Sequence, residues 1–477
     1  MSTETKRTKR EYPLNAKNIF GLSTMKWALI AGASLMTSAF MIYLTDFSNL
    51  ANAAIVATVL LTVGRIVDAA CDPAQGFIMD RSPITKIGKF KPWLLLGIAL
   101  TTIALIMVFN MPQNVAEWVK ILFLSIGYFM FTIGQSFHPD MAMRVTMTDD
   151  PKVREKLLVI PRIVEQAAAV PFAFFIPVAL LFGDMLGGGA TRGFSVAAFV
   201  FVLPLAVIAL IGALCVREGP FVKQSETKIG LQDLIKMFKT NKPLWISQLS
   251  GVFGGSIFPF VMIAVTYYIR WAYGPENFGA NAAIMGSCIL FGIVVGTLLA
   301  PKLFKKIIPV NGAIIATLSQ IAPLAIIFLL SLIIDIPLVL FFILLFIMMV
   351  FSGSGFIPAS LIGMECMDYN RYKQGEGKGM EALVQSVGAF VIKLQTALAG
   401  LVTGAVLIAV GYDAALYESE EFIEAGGTVP PELLTGLAIV FCVIPVFLGI
   451  TAAIILKFYP LKKDERELMY SELEGRR

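Results

Sequence analysis

The sequence predicts an all-α membrane protein of twelve transmembrane helices in two six-helix halves. Three observations lead there. Of the 477 residues, 57% are hydrophobic and only 15% are charged, against about 25% charged in soluble domains. Twelve apolar runs are each long enough to cross a hydrocarbon core, which takes about twenty residues. A polar connection at 217–242 separates the first six runs from the last six.

The chain opens on a basic tail, residues 1–22, with Lys6, Arg7, Lys9, Arg10 and Lys17. Runs then fall near 24–45, 51–79, 92–111, 118–146, 158–183 and 193–215, an N-terminal half at 23–216. After the 217–242 loop come 243–270, 281–303, 308–333, 337–363, 380–410 and 432–456. These form a C-terminal half at 243–458, followed by a tail at 459–477. Basic residues collect on one side of this ladder. That side holds the N-terminal tail, the Arg81–Lys91 loop, Lys152, Arg154 and Lys156, the central loop, Lys302, Lys305 and Lys306, Arg371, Lys373 and Lys378, and the C-terminal tail. The opposite side holds little more than Lys120, Arg192 and Arg270. By the positive-inside rule both termini are cytoplasmic. The polar start gives way to a run of span length, so no cleavable leader is expected.

Composition also narrows the chemistry. The five cysteines (Cys71, Cys215, Cys288, Cys366, Cys442) are scattered without CxxC spacing, which suggests neither a disulfide framework nor a zinc site. His138 is the only histidine. It lacks a local Cys or HxxE partner, and Ser136 beside it shows no sign of a triad, so an enzyme is not expected. Rings of like residues, the mark of a channel, are not visible. No cofactor and no nucleic-acid partner is expected; the lipid bilayer is the surrounding medium.

Polar residues inside the spans carry the function. Between Ala53 and Met79 the strongly polar residues are Arg65, Asp68, Asp72 and Gln75. Asp68 and Asp72 stand four apart and share one helical face, with Arg65 three residues earlier. A charge at membrane depth costs at least a few kcal/mol, so these groups face a polar cavity, a partner or an ion. Two carboxylates and a guanidinium on one buried face suit a sodium ion or a proton. Further candidates are Lys26 at the start of span one and the span-four group Thr132, Gln135, Ser136, His138, Asp140 and Arg144. Arg162 and Glu165 in span five and Lys393, deep in span eleven, complete the set. Two alternatives stay open for the cations. They bind an anionic solute, or Arg162 pairs with Glu165 and Arg144 with Asp140 to leave a neutral cavity.

The run Arg65–Pro73 with Gly76 and Asp80, followed by Lys86-Ile-Gly-Lys89-Phe-Lys91-Pro92-Trp93, resembles the glycoside–pentoside–hexuronide:cation symporters, the melibiose permease-like family of the major facilitator superfamily. Asp149, Arg154, Glu155 and Arg162 extend the likeness, as do Glu365, Asp368, Tyr369, Glu381 and Lys393; it runs from about Phe20 to Leu456. The resemblance implies the major facilitator fold and a cation site at Asp68 and Asp72 with Cys71 and Thr132 beside it. It implies a substrate contact from Arg162 and matches Lys393 to the family's span-eleven lysine; Lys26, Arg65, Gln135, Ser136, His138 and Asp140 are further substrate-binding candidates. It also implies a cytoplasmic gate in which Lys86, Lys89, Lys91 and Arg154 face Glu365 and Asp368.

Departures from the galactoside pattern are as informative. Lys26 is followed by Trp27 where an aspartate is expected, and the sugar-binding aspartate of span four falls on Gln135 or Ser136. The stacking tryptophan of that span falls near Pro139 or Asp140. Cys71 replaces an asparagine, and a thiol is a soft ligand poorly suited to sodium. The expectation is a secondary active transporter in a bacterial cytoplasmic (inner) membrane. It moves a glycoside inward with H⁺ or Na⁺, and two missing acids among retained cations favour an acidic sugar such as a uronide or sulfonated sugar. The alternative is a carrier of the same fold for a lipid-like or other organic anion.

Overall fold

The structure is a computed structural model. It describes residues 13–475 apart from 41–42, 45–47, 49, 51–52, 149, 169, 188, 220–230, 275–276, 376–379 and 411–428. Ten helices among the described residues are long and apolar enough to cross a membrane. The second crossing is the helix Ala53–Arg81, and the fifth is split into Pro151–Gln166 and Phe175–Met185 by a 3₁₀ turn at Val170–Phe174. With these two, the ladder of twelve is complete. The first crossing starts earlier than the hydrophobicity pattern indicates, at Ala16, because Asn15 caps it by accepting the Asn18 N–H.

Several crossings are interrupted. Span one consists of Ala16–Thr24 and Trp27–Ser38, with Lys26 in the turn between them. Span four consists of Glu117–Ser136 and Asp140–Val145, broken around Pro139, which has no N–H to give a helix. Span seven breaks between Lys242–Gly254 and Ile257–Ala272, and span twelve carries a π turn at Ile439–Val443. Irregular backbone at membrane depth persists only where protein or a polar cavity satisfies it. The breaks of spans one and four carry Lys26 and His138, and Glu165 lies just before the break of span five.

The chain forms two compact units, Met1–Leu231 with Gln374–Phe390 and Gln232–Lys373 with Val391–Arg477. The first division falls inside the 217–242 loop. Residues 374–390, expected with the C-terminal half, pack with the first unit, although the eleventh span is one continuous helix, Glu381–Ala409. An aromatic core of Tyr43, Phe109, Phe175 and Phe194 holds the first unit. Tyr268, Phe341 and Phe441 do the same for the second. Spans five and six meet so closely that a Cβ on Gly193 would collide with the Ala179 carbonyl.

Candidate transport site

The second and fourth spans join through polar groups one helical turn apart. Asp72 is buried, and its Oδ1 accepts the Ser136 hydroxyl at 2.5 Å. The same hydroxyl lies 3.4 Å from the carbonyl of buried Thr132, and Gln75 Nε2 donates to the Ile133 carbonyl at 3.5 Å. Pro73 lies within the helix, so the carbonyl one turn before it loses its usual donor. Cys71 is half-buried. Arg65 and Asp68 fall on this helix, but their side chains lie outside the described residues. Ser136, an expected substrate contact, thus touches Asp72, expected in the cation site, and Gln135 Nε2 reaches the Leu29 carbonyl of span one at 2.9 Å.

Where spans one, four and five break, a buried charge network forms. Arg144 bridges both carboxylates, 2.8 Å from Asp140 Oδ2 and 2.9 Å from Glu165 Oε1. Lys26 Nζ lies 3.3 Å from Asp140 Oδ2 and 3.9 Å from Glu165 Oε2. Arg162 approaches Glu165 Oε2 at 3.8 Å with its side chain 32% exposed. Among the described residues of this network, Lys26, Arg144 and Arg162 outnumber Asp140 and Glu165 by one charge. Arg144 is held by two short pairs, and the contacts of Lys26 and Arg162 with Glu165 are longer. His138 Nδ1 is buried with no hydrogen-bond partner among the described residues. Lys393 is half-buried in the second unit.

One side chain that no motif singles out completes this network. Gln385 Nε2 donates to the His138 carbonyl at 2.6 Å and to Asp140 Oδ1 at 3.0 Å. Its Oε1 accepts the Met141 and Ala142 N–H groups at 3.1 and 3.0 Å, capping the short helix Asp140–Val145. Gln385 lies eight residues before Lys393 in an apolar helix, with no motif to mark it.

The expected gate residues are tied down locally. Asp80 is buried and accepts the Ala382 and Leu383 N–H groups at 3.1 and 2.7 Å, capping span eleven. Glu218, just past span six, accepts the N–H groups of Lys89, Phe90 and Lys91 at 2.7, 2.8 and 2.6 Å. Burial pushes its carboxyl above the usual range, opposed by these three donors. Lys91 Nζ approaches the Leu214 carbonyl, Lys89 sits over the Phe90 ring, and Lys86 is exposed. Arg154 donates to the Thr148 and Val145 carbonyls. In the second unit Glu365 accepts Arg466 Nε at 2.5 Å and Asp368 accepts the Tyr470 hydroxyl at 3.2 Å. Both partners come from the C-terminal helix Lys463–Gly475, which composition marks only as a charged tail.

Residues 25–463 match the MFS/sugar transport protein family. The chain belongs to this family, and within it to the glycoside–pentoside–hexuronide:cation symporters. It is 26% identical to an uncharacterised symporter of Bacillus subtilis, YnaJ, over 91% of this chain and 89% of that one. It is 25% identical to a putative glycoside/cation symporter of Escherichia coli, YagG, over 95% and 93%. Identity to the glucuronide carrier protein homolog of E. coli is 24%, over 95% and 96%. The fold matches the crystal structure of the E. coli fucose:proton symporter with a TM-score of 0.63, covering 93% of this chain and 98% of that one at 13% identity. The protein is a membrane carrier of the major facilitator fold.

Proposed function

We propose that this carrier couples the inward movement of a cation, H⁺ or Na⁺, to that of a glycoside, by alternating access in a bacterial cytoplasmic membrane with both termini inside. The observation that carries the reading is the continuity of span four. Ser136 holds Asp72, and only residues 137–139 separate it from Asp140 in the buried charge network. A cation taken up at Asp72, with Asp68, Thr132 and Cys71 beside it, draws the Ser136 oxygen to itself and turns the hydroxyl proton away from the carboxylate. The segment leading to Asp140 then shifts, and with it Lys26 and Gln135. The coupling needs no covalent step and no catalytic residue. Asp72→Asn is expected to abolish uphill uptake while leaving downhill exchange; concentrative uptake at the wild-type level would refute the assignment.

The solute is an acidic sugar. A cluster with one cation in excess binds a carboxylate or sulfonate with charge assistance that a hydroxyl lacks. Arg162 and Lys26, 3.8 and 3.9 Å from Glu165 Oε2, are the groups to supply it, with His138 as a further contact. The likeness to a glucuronide carrier homolog supports this class. Binding of a uronide and its neutral parent sugar is compared in wild type and Arg162→Gln. The uronide should bind tighter in wild type, and the preference should shrink in the variant. Equal or tighter binding of the neutral sugar by wild type would overturn the acidic class and leave symport standing.

A further inference from the structure

We infer that Gln385 is the positioning residue through which the start of span eleven reads the state of the cation and solute sites; this rests on the proposed symport. The amide uses every one of its four hydrogen-bonding directions on one short segment: the His138 carbonyl, Asp140 Oδ1, and the N–H groups of Met141 and Ala142. Pro139, the N-cap position of helix Asp140–Val145, offers that helix no side-chain cap, so Gln385 does this from another span. The same segment reaches Asp72 through Ser136 on one side and Lys26, Arg144 and Glu165 through Asp140 on the other.

A closed circuit results, all of it within the first unit. It runs from Asp72 to Ser136, along residues 137–139 to Asp140, across to Gln385, and back along span eleven to Ala382 and Leu383. Asp80 grips those two amides, and span two returns from Asp80 to Asp72 in two turns of helix. Gly76, on that stretch, lets the two helices touch; a Cβ there would lie 2.8 Å from Leu383 Cα. An amide with four partners keeps them only in one mutual arrangement, because each bond fails within a few tenths of an ångström or about 60°. When a solute draws Lys26 or Asp140 to itself, or a cation draws the Ser136 oxygen to itself, Gln385 loses partners. The start of span eleven then loses one of its two anchors. Gln385 touches neither ion nor solute; it acts through Asp140 and the backbone.

Solute affinity is measured with and without the coupling cation in wild type and in Gln385→Met, which keeps length and bulk but removes the hydrogen bonds. Wild type is expected to gain affinity with the cation by a factor of about five or more. Gln385→Met is expected to bind solute with affinity near that of cation-free wild type and to lose that factor, and uphill accumulation with it. A wild type without cation dependence refutes the symport proposal itself. A variant that keeps the wild-type factor refutes the role of Gln385. If the variant folds poorly, amide hydrogen exchange on wild type decides. Cation and solute together should change protection at Met141 and Ala142 and at Ala382 and Leu383 in concert, and unchanged or unlinked protection would overturn the inference.

Discussion

Arg144 closes the buried network, because its two nitrogens bond Asp140 and Glu165 at once. Removing it leaves two carboxylates facing each other with only Lys26 and Arg162 nearby. Arg144→Leu is therefore expected to destabilise the protein by about 3–5 kcal/mol, the usual result of stripping one partner from a buried pair. Thermal unfolding in detergent should show it as a large loss of Tm, and Glu165→Gln as a smaller one. Ser136→Ala should instead weaken cation binding at a cost of about 1.5–3 kcal/mol in stability, since it removes one hydrogen bond to a carboxylate. Titration of cation-dependent solute binding checks that outcome. At this scale the sequence showed which polar residues sit inside the spans, and it left open whether their charges serve a solute or one another. In the structure Arg144 pairs with both Asp140 and Glu165, and Arg162 lies 3.8 Å from Glu165 Oε2.

At the scale of elements, two carboxylates outside the charge network hold helix starts. Asp80 caps span eleven and Glu218 caps the third span, Lys91–Phe109, and each satisfies amides that the helix itself cannot. The two contacts are separable. Gly76→Val pushes the Leu383 backbone away and should raise amide exchange at Ala382 and Leu383 about tenfold, an opening cheaper by about 1.4 kcal/mol, with Lys89–Lys91 unchanged. Glu218→Gln should do the reverse, loosening the Lys89–Lys91 amides by about 1 kcal/mol and sparing Ala382 and Leu383. Parallel changes in both segments would show that the caps form one element rather than two. Met380, buried at φ 50° just before span eleven, adds backbone strain at the same point.

Across the whole molecule the decisive property is thermodynamic. If a cation raises solute affinity by a given factor, the solute must raise cation affinity by the same factor. Paired titrations should return equal factors, in the usual range of about 5–150. Identity of the ion is a separate question. Cys71 argues for a proton, whereas Ser136 and the Thr132 carbonyl beside Asp72 offer the hard oxygen donors that sodium prefers. Uptake at fixed pH with and without Na⁺, with external pH recorded, separates them. Proton coupling predicts alkalinisation and indifference to Na⁺.

The sequence by itself determined the class, the ladder of crossings and the polar face of span two, because these follow from local causes. Hydrocarbon thickness fixes run length, the cost of desolvating charge keeps the runs apolar, and the helical period sets which residues share a face. Tertiary structure alone decided the partners. Ser136 meets Asp72 across 64 residues and Gln385 meets Asp140 across 245. Whether Gln135 or Ser136 stands in the missing aspartate's place turned on where the helix before Pro139 ends, which sends one toward Leu29 and the other toward Asp72. Hydrogen bonds act over about 3 Å and in set directions, so they are written in coordinates that composition and spacing do not contain.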